Sequence, residues 1–350
     1  MIAYKPARII ESLVIPVGAL LTGTALFGLF CAALGENGFA VFHSIYRAAF
    51  ADWYSWQNTL TRAAPLLLCG LCTALPARAG LIVIGNEGAM VVGAIGAVSA
   101  GLAFPDAPHI ASILLMAAAG MICGGLWICI AASLHHFRGV NAVISSLLLN
   151  YIAIALLNHL IEGPMRDPAS LNNPSTRPLA AAQHLGLIPG SRVHDGLLFG
   201  LAACAAAWFL FSRTAFGFSA RVVGGNIRAA QLCGIGIGRV LLILSFLGGA
   251  CAGLAGMVEV AAVQGRANAS VNTGYGYAGI LVAFLARHNP AGIVLVSLLL
   301  GGIVASGGML QRAHNLPDAA VMVLQGILFL VILCSETLYG RWTERRLRAN

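Results

Sequence analysis

Residues 212–240, SRTAFGFSARVVGGNIRAAQLCGIGIGRV, form a polar interval between two long apolar runs, with four arginines and no acidic residue. The interval divides the apolar segments of the chain into two sets, and the rest is read around it. Gly224 and Gly225 permit a tight turn, Asn226 can accept from the orphan N–H groups of a helix, and residues 227–233 supply about two turns. Gly234 stands where a helix C-cap prefers glycine. The expected product is one short surface helix bracketed by turns. Such a helix can dock on a soluble partner, or lie at a membrane interface with its arginines among lipid headgroups. The interval alone leaves both readings open.

Outward from it the chain is apolar. Of its 350 residues, 59% are hydrophobic and 9% charged, with a mean hydropathy of +0.87, whereas soluble domains carry roughly a quarter charged residues. This composition belongs to an all-α polytopic membrane protein. Windows of about 19 residues place spans near 13–34, 58–77, 80–104, 110–132, 142–161, 196–211, 240–262, 275–287, 291–306 and 318–336. They amount to about ten transmembrane helices in a single transmembrane domain over 1–350. The run 13–34 follows Lys5 and Arg8 and is longer than the apolar core of a signal peptide, so it is read as the first span.

The net charge of +8 does not point to nucleic acid, because arginines spread over the loops of a membrane protein serve topology. With the amino terminus inside, Lys5, Arg8, Arg78, Arg138, Arg287, Arg341, Arg345, Arg346, Arg348 and the four arginines of the polar interval lie inside. Arg47, Arg62, Arg166, Arg177, Arg192, Arg266 and Arg312 lie outside, the smaller set. The positive-inside rule then puts both termini and residues 212–240 in the cytoplasm. Of the outer loops, 35–57 has apolar residues at near-helical spacing and suits a helix lying at the interface. The other, 162–195, is rich in proline and asparagine and is expected to be either a docking surface for an extracytoplasmic partner or a plain connector. The nine cysteines sit in apolar runs and read as small buried hydrophobes, and Cys69 and Cys72 lack the second pair a metal site needs.

Two spans are interrupted. GLIVIGNEGAMVVG at 80–93 puts an amide, a carboxylate and several glycines in a membrane-depth window, and 274–290 is short and ends at a proline. Non-helical backbone at that depth is tolerated along a cavity or inside protein, so paired interruptions mark a transport site. The halves run from span two to span five and from span seven to span ten, compatible with an inverted repeat. Glu87 and Glu259 are acids at membrane depth, where an ionised carboxylate costs on the order of 3 kcal/mol. Each is a solute hydrogen-bond acceptor, a gate or a proton site, or else a structural acid held by backbone amides or by arginine. Asn150, Tyr151 and Asn158 fit one broad helical face, and Asn150 and Gln325 suit interhelical hydrogen bonds. Gly120 with Gly124, and Gly249 with Gly253, are close-packing pairs. Asn86, Glu87, Asn150, Glu259, Tyr275 and Tyr277 are the candidate residues of a solute pathway. No hydrolase, zinc-protease or P-loop motif occurs, and Lys5 is the sole lysine, so no enzymatic site, metal or cofactor is expected and any ATP must be bound by another chain.

The stretches AGLIVIGNEGAMVVGA at 79–94, GVNAVISSLLLNYIA at 139–153, GPMRDP at 163–168, GFSARVVGGNIRAAQLCGI at 217–235 and GYGYAGILVAFLARHNPAGI at 274–293 occur in a specific order and spacing. Together they resemble the inner-membrane permease subunits of ATP-binding-cassette importers for nucleosides and simple sugars, within the ribose and branched-chain amino acid permease group. The resemblance implies a bacterial inner-membrane permease that pairs with a second permease, receives solute from an extracytoplasmic binding protein and is driven by a cytoplasmic ATPase. It implies that Arg221, Gly224, Gly225, Asn226, Ala229, Ala230, Gly234 and Ile235 contact that ATPase. Val83, Ala89 and Ala142 stand where such permeases carry asparagine, glutamine and glutamate, which leaves nucleosides, nucleobase-like compounds and simple sugars as cargo. The alternative is a secondary transporter with proton coupling through Glu87 or Glu259.

Overall fold

The computed structural model describes residues 4–317 and 319–336. Arg341, Arg345, Arg346 and Arg348, and the side chains of Lys5 and Arg8, which enter the expected orientation, lie outside the described residues. The chain forms two compact units, residues 60–301 and residues 1–59 with 302–350.

The larger unit contains most of α3 (Trp53–Ala77), then α4 (Asn86–Ala103), α5 (His109–Arg138), α6 (Ala142–Glu162), α7 (Gly196–Arg213), α8 (Ala215–Gly225), α9 (Ile227–Leu232), α10 (Ile237–Val258), α11 (Tyr275–Leu285) and most of α12 (Pro290–Ala305). A π-helical turn, Glu259–Gln264, continues α10. Among the described residues the extended pairing is limited to the isolated bridges Ser175 with Asn268 and Leu187 with His194.

A seam of glycines sets the core. On α5, a Cβ added at Gly124 would lie 2.5 Å from the Gly249 carbonyl oxygen, and one at Gly120 would lie 2.9 Å from that of Gly253. On α4, a Cβ at Gly93 would lie 2.6 Å from the same Gly253 oxygen. The two small-residue pairs read from the sequence therefore pack against each other, and Gly93 joins them. Lipid tails are as apolar as leucine, so close backbone approach and its dispersion energy hold such helices together.

The smaller unit holds α1 (Tyr4–Ala33), α2 (Gly38–Tyr46), a π-helical turn Arg47–Ala51, α13 (Gly307–His314) and α14 (Ala319–Glu336). The interfacial helix expected in 35–57 is α2, capped by Asn37, whose Oδ1 accepts from Phe39 N at 3.0 Å. His314 ties α13 to both ends of α2, with Nδ1 2.9 Å from Oε2 of Glu36, just before the cap, and Nε2 2.9 Å from Oγ of Ser44 in the last turn.

Each apolar window carries a helix, that at 80–104 only from Asn86, so the chain is an all-α polytopic membrane protein. Among the described residues seven helices are long and apolar enough to cross a membrane, or up to eight if the bent pair Val17–Ala33 and Gly38–Ala51, at 120°, is one span. Of the other windows, Ala319–Ser335 is a shorter apolar helix. The 11 residues of α11 rise about 17 Å, short of a hydrocarbon core of about 30 Å.

Candidate functional site

The interruption at 80–93 is a built feature. Gly80, at φ +82°, takes the left-handed conformation that a side chain resists, and residues 81–85 run non-helical until α4 starts at Asn86. Side chains from α3 and α6 satisfy this stretch. Ile84 N donates to Ser146 Oγ at 3.0 Å, and Asn150 Nδ2 donates to Ile84 O at 2.9 Å. Thr73 Oγ1 reaches Val83 O at 3.3 Å. Asn150 Oδ1 also accepts from Gly88 N at 2.8 Å, one of the orphan donors of α4's first turn. Asn86 turns the other way, donating to Cys69 O at 3.0 Å and to Thr73 Oγ1 at 2.8 Å. Backbone that cannot reach water at this depth thus finds partners inside the protein.

Glu87 joins the two interruptions. Fully buried, it accepts from Gly274 N at 2.9 Å and from Gly276 N at 2.6 Å, and Tyr277 N also donates to it. Those N–H groups belong to the start of α11, so a carboxylate in one half of the chain caps a helix in the other, where the helix dipole favours negative charge. A Cβ at Gly276 would overlap the backbone of Glu87. Glu259 sits differently. On the π-helical turn and 2% exposed, it accepts from Gln264 Nε2 at 3.2 Å and feels the charge of Arg62. Arg62 Nη1 donates to Tyr275 OH at 2.7 Å.

Of the six expected pathway residues, Asn86, Glu87 and Asn150 each bond backbone, with Asn86 also on the Thr73 side chain, whereas Glu259 and Tyr275 meet through Arg62. Tyr277 is 39% exposed and bonds to the Asn150 side chain. Asn150 and Tyr151 do not share a face as expected, since Asn150 is fully buried and Tyr151 is 61% exposed; neighbouring residues on a helix point about 100° apart. Residue reading missed Ser146, Thr73, Arg62 and Gln264. Ser146 was findable, being one turn from Asn150, but the others are brought in by packing.

The polar interval 212–240 departs from expectation in one respect. Gly224 and Gly225 do not form a turn but close α8, an 11-residue helix that begins at Ala215 with Thr214 as its cap. The reason is packing: a Cβ at Gly224 would overlap the carbonyl of Arg78, whereas at Gly225 it would meet nothing within 4 Å. Asn226 ends α8 and starts α9, its Oδ1 accepting from Ala229 N at 3.1 Å, and Gly234 follows at φ +71° as expected. Ala230 buries α9's inner face, while Ile227 is 57% and Leu232 90% exposed. The base beneath is tied down. Arg221 donates to Phe211 O, Arg78 Nε donates to His288 O at 3.0 Å, and the Arg78 guanidinium lies 5.3 Å from the centre of the Phe211 ring. Burial, with Arg78 and Arg287 nearby, pushes the His288 imidazole down to about 4.

The loop 162–195 lies along the turn that follows the π-helix. Thr176 N donates to Ala267 O and Leu179 N to Gly265 O, both at 2.9 Å, and Leu185 N donates to Ala261 O at 3.0 Å. Among the described residues no group of three or more His, Cys, Asp or Glu side chains is placed to hold a metal ion.

The acid of one interrupted span caps the short helix of the other inside a set of apolar helices, and a short anchored helix bears exposed apolar side chains, the architecture of a polytopic membrane protein. The chain belongs to the family described as branched-chain amino acid transport system / permease component, which its residues 55–333 match. It is 33% identical over 336 residues to the glucose ABC transporter permease protein TsgB13 of Haloferax volcanii, covering 92% of this chain and 87% of that one. It is 30% identical over 345 residues to the guanosine ABC transporter permease protein NupP of Bacillus subtilis, at 93% and 94% coverage. With the nucleoside ABC transporter permease protein NupB of Lactococcus lactis it shares 26% identity over 330 residues, at 92% and 91% coverage.

Proposed function

We propose that this chain is the membrane-spanning subunit of an ABC importer that carries a nucleoside or a related small polar solute, a nucleobase-like compound or simple sugar, across the bacterial inner membrane. The observation that carries the coupling half of this reading is α9, whose apolar Ile227 and Leu232 stand exposed on a base fixed through Arg78, Arg221 and Gly224. A short helix with a rigid footing transmits a push; a loosely held one absorbs it. In this reading a cytoplasmic ATPase docks on Arg221, Gly224, Gly225, Asn226, Ala229, Gly234 and Ile235, while Ala230, expected among the contacts, is fully buried and seats α9 on its base; both termini are cytoplasmic. A second permease completes the pathway, and an extracytoplasmic binding protein delivers the solute to the side that carries 162–195.

Alternating access needs two arrangements of a largely rigid frame about a fixed site. Asn86, Glu87 and Asn150 hold the frame by joining the interrupted spans, and Tyr275, Tyr277 and Glu259 border the path. Glu87, with both carboxylate oxygens engaged by backbone amides, is positioned as a cap, which disfavours proton coupling through it. The test is uptake into proteoliposomes. Uptake should require the cognate ATPase, ATP and the binding protein; uptake by this chain alone sinks the reading, and uptake following an imposed pH gradient without ATP replaces it with proton coupling.

A further inference from the structure

Between the loop 162–195 and the turn after the π-helix lies a cavity of about 350 Å³. Resting on the importer reading, we propose that it is a solute subsite on the delivery side of the permease, taking an uncharged polyhydroxylated molecule such as a sugar ring or the ribose of a nucleoside. Its polar walls are Ser170, Asn173, Ser175, Gln264, Arg266 and Asn268, with Leu171 as the apolar side chain. Hydroxyls and amides can both donate and accept, which is what a ring of alcohol groups requires. The lining has one cation and no carboxylate, and Arg266 Nη1 already reaches Ser175 Oγ at 3.4 Å. A cation has no counter-charge here. The volume falls in the range of roughly 300–1,000 Å³ typical of small-molecule sites, far more than one carboxylate of a docking protein would fill.

The walls are preformed. Ser175 pairs with Asn268 across an antiparallel bridge, Asp167 N donates to Ser175 O at 2.8 Å, and Ala267 N donates to Thr176 Oγ1 at 3.0 Å. A site that needs no ordering on binding keeps more of its interaction energy. The cavity also has a route inward. Its Gln264 amide donates to the buried Glu259, Glu259 feels Arg62, and Arg62 donates to Tyr275 at the head of α11. A solute hydroxyl that bonds the Gln264 amide shares it with Glu259, so occupancy bears on the interrupted span capped by Glu87 through three side chains.

The experiment uses the full chain assembled with its ATPase, partner permease and binding protein in proteoliposomes. The probe solute is whichever of guanosine, D-ribose and D-glucose the assembly takes up with ATP. Modification of Asn173→Cys by a membrane-impermeant maleimide is followed at that residue by mass spectrometry, with Leu187→Cys as the control outside the cavity. The solute should slow modification at 173 at least threefold without changing the rate at 187, and Gln264→Ala should remove most of that protection. ATP-driven uptake with no protection at 173 overturns the subsite and leaves the importer standing. Protection by solute-free binding protein alone also overturns it, making the cavity a docking surface. Protection without any ATP-driven uptake, tested with all three probes, supports the subsite and sinks the importer reading instead.

Discussion

The interruption at 80–93 and the interval 212–240 look alike as text, since both set glycines and polar residues into an apolar chain and both carry an asparagine beside a glycine. In the fold they are opposites. Around 80–93, Asn86, Glu87 and Asn150 are fully buried and bonded to backbone. In 212–240, Asn226 is exposed, makes a local cap and leaves the apolar side chains of α9 uncovered. Polarity at 80–93 is consumed by the fold, whereas 212–240 keeps exposed side chains that another molecule can meet.

Substitutions should separate the two regions by what they damage. The largest effect is expected at Glu87→Ala, which strands the Gly274 and Gly276 amides. With charged hydrogen bonds contributing about 1.5–3 kcal/mol each, stability should fall by about 3–6 kcal/mol, measured as unfolding in detergent. Glu87→Gln should fall between. If Gln keeps full stability but abolishes transport, the carboxylate serves the solute or a proton and the contrast breaks. Next is Gly253→Ala, whose Cβ would overlap the Gly120 carbonyl; overpacking of this kind costs about 1–3 kcal/mol, read as a lower Tm and poorer recovery of folded protein.

The paired glycines of the interval give a sharper comparison. Gly224→Ala must push α8 off the Arg78 carbonyl and should weaken both stability and coupling, by about 2 kcal/mol of stability. Gly225→Ala meets open space and should be neutral or stabilising by up to about 1 kcal/mol. Equal effects at the two positions would show that α8 does not pack as described. Asn226→Ala should cost about 1 kcal/mol as a lost cap yet raise ATP hydrolysis per solute transported several-fold; unchanged coupling would return the interval to a plain surface helix.

The last comparison is read in pH. The folded state holds His288 neutral, with its pKa down at about 4 from an ordinary 6.5. A lowered histidine stabilises the fold fully above the unfolded value, and that contribution is lost as pH falls from about 6.5 towards 4. His288→Gln should flatten this part of the Tm-against-pH curve, and an unchanged slope would mean that another group sets it.

How much was legible differs between the regions. The capped helix of the interval could be read because a cap is local: Asn226 and Ala229 are three residues apart, and Gly234 follows within one turn. The continuation of helix through Gly224 and Gly225 could not, because it is decided by the carbonyl of Arg78, far away in sequence. At the interruption the glycines and the buried acid were visible, but not that Glu87 would serve Gly274 and Gly276. Likewise, Gly120 with Gly124 and Gly249 with Gly253 announced close packing without saying that they would meet each other.

The sequence by itself determined that the chain is a helical membrane protein with interrupted spans and an exposed capped helix between two sets of apolar segments. Hydropathy, capping and glycine spacing act within a turn or a span, so they survive in one dimension. Only the tertiary structure decided which polar groups are spent and which remain available. A hydrogen bond at membrane depth is set by which helices touch, and the contacts that join Glu87 to α11, Asn150 to residues 84–88 and Gln264 to Glu259 exist only once those helices have packed.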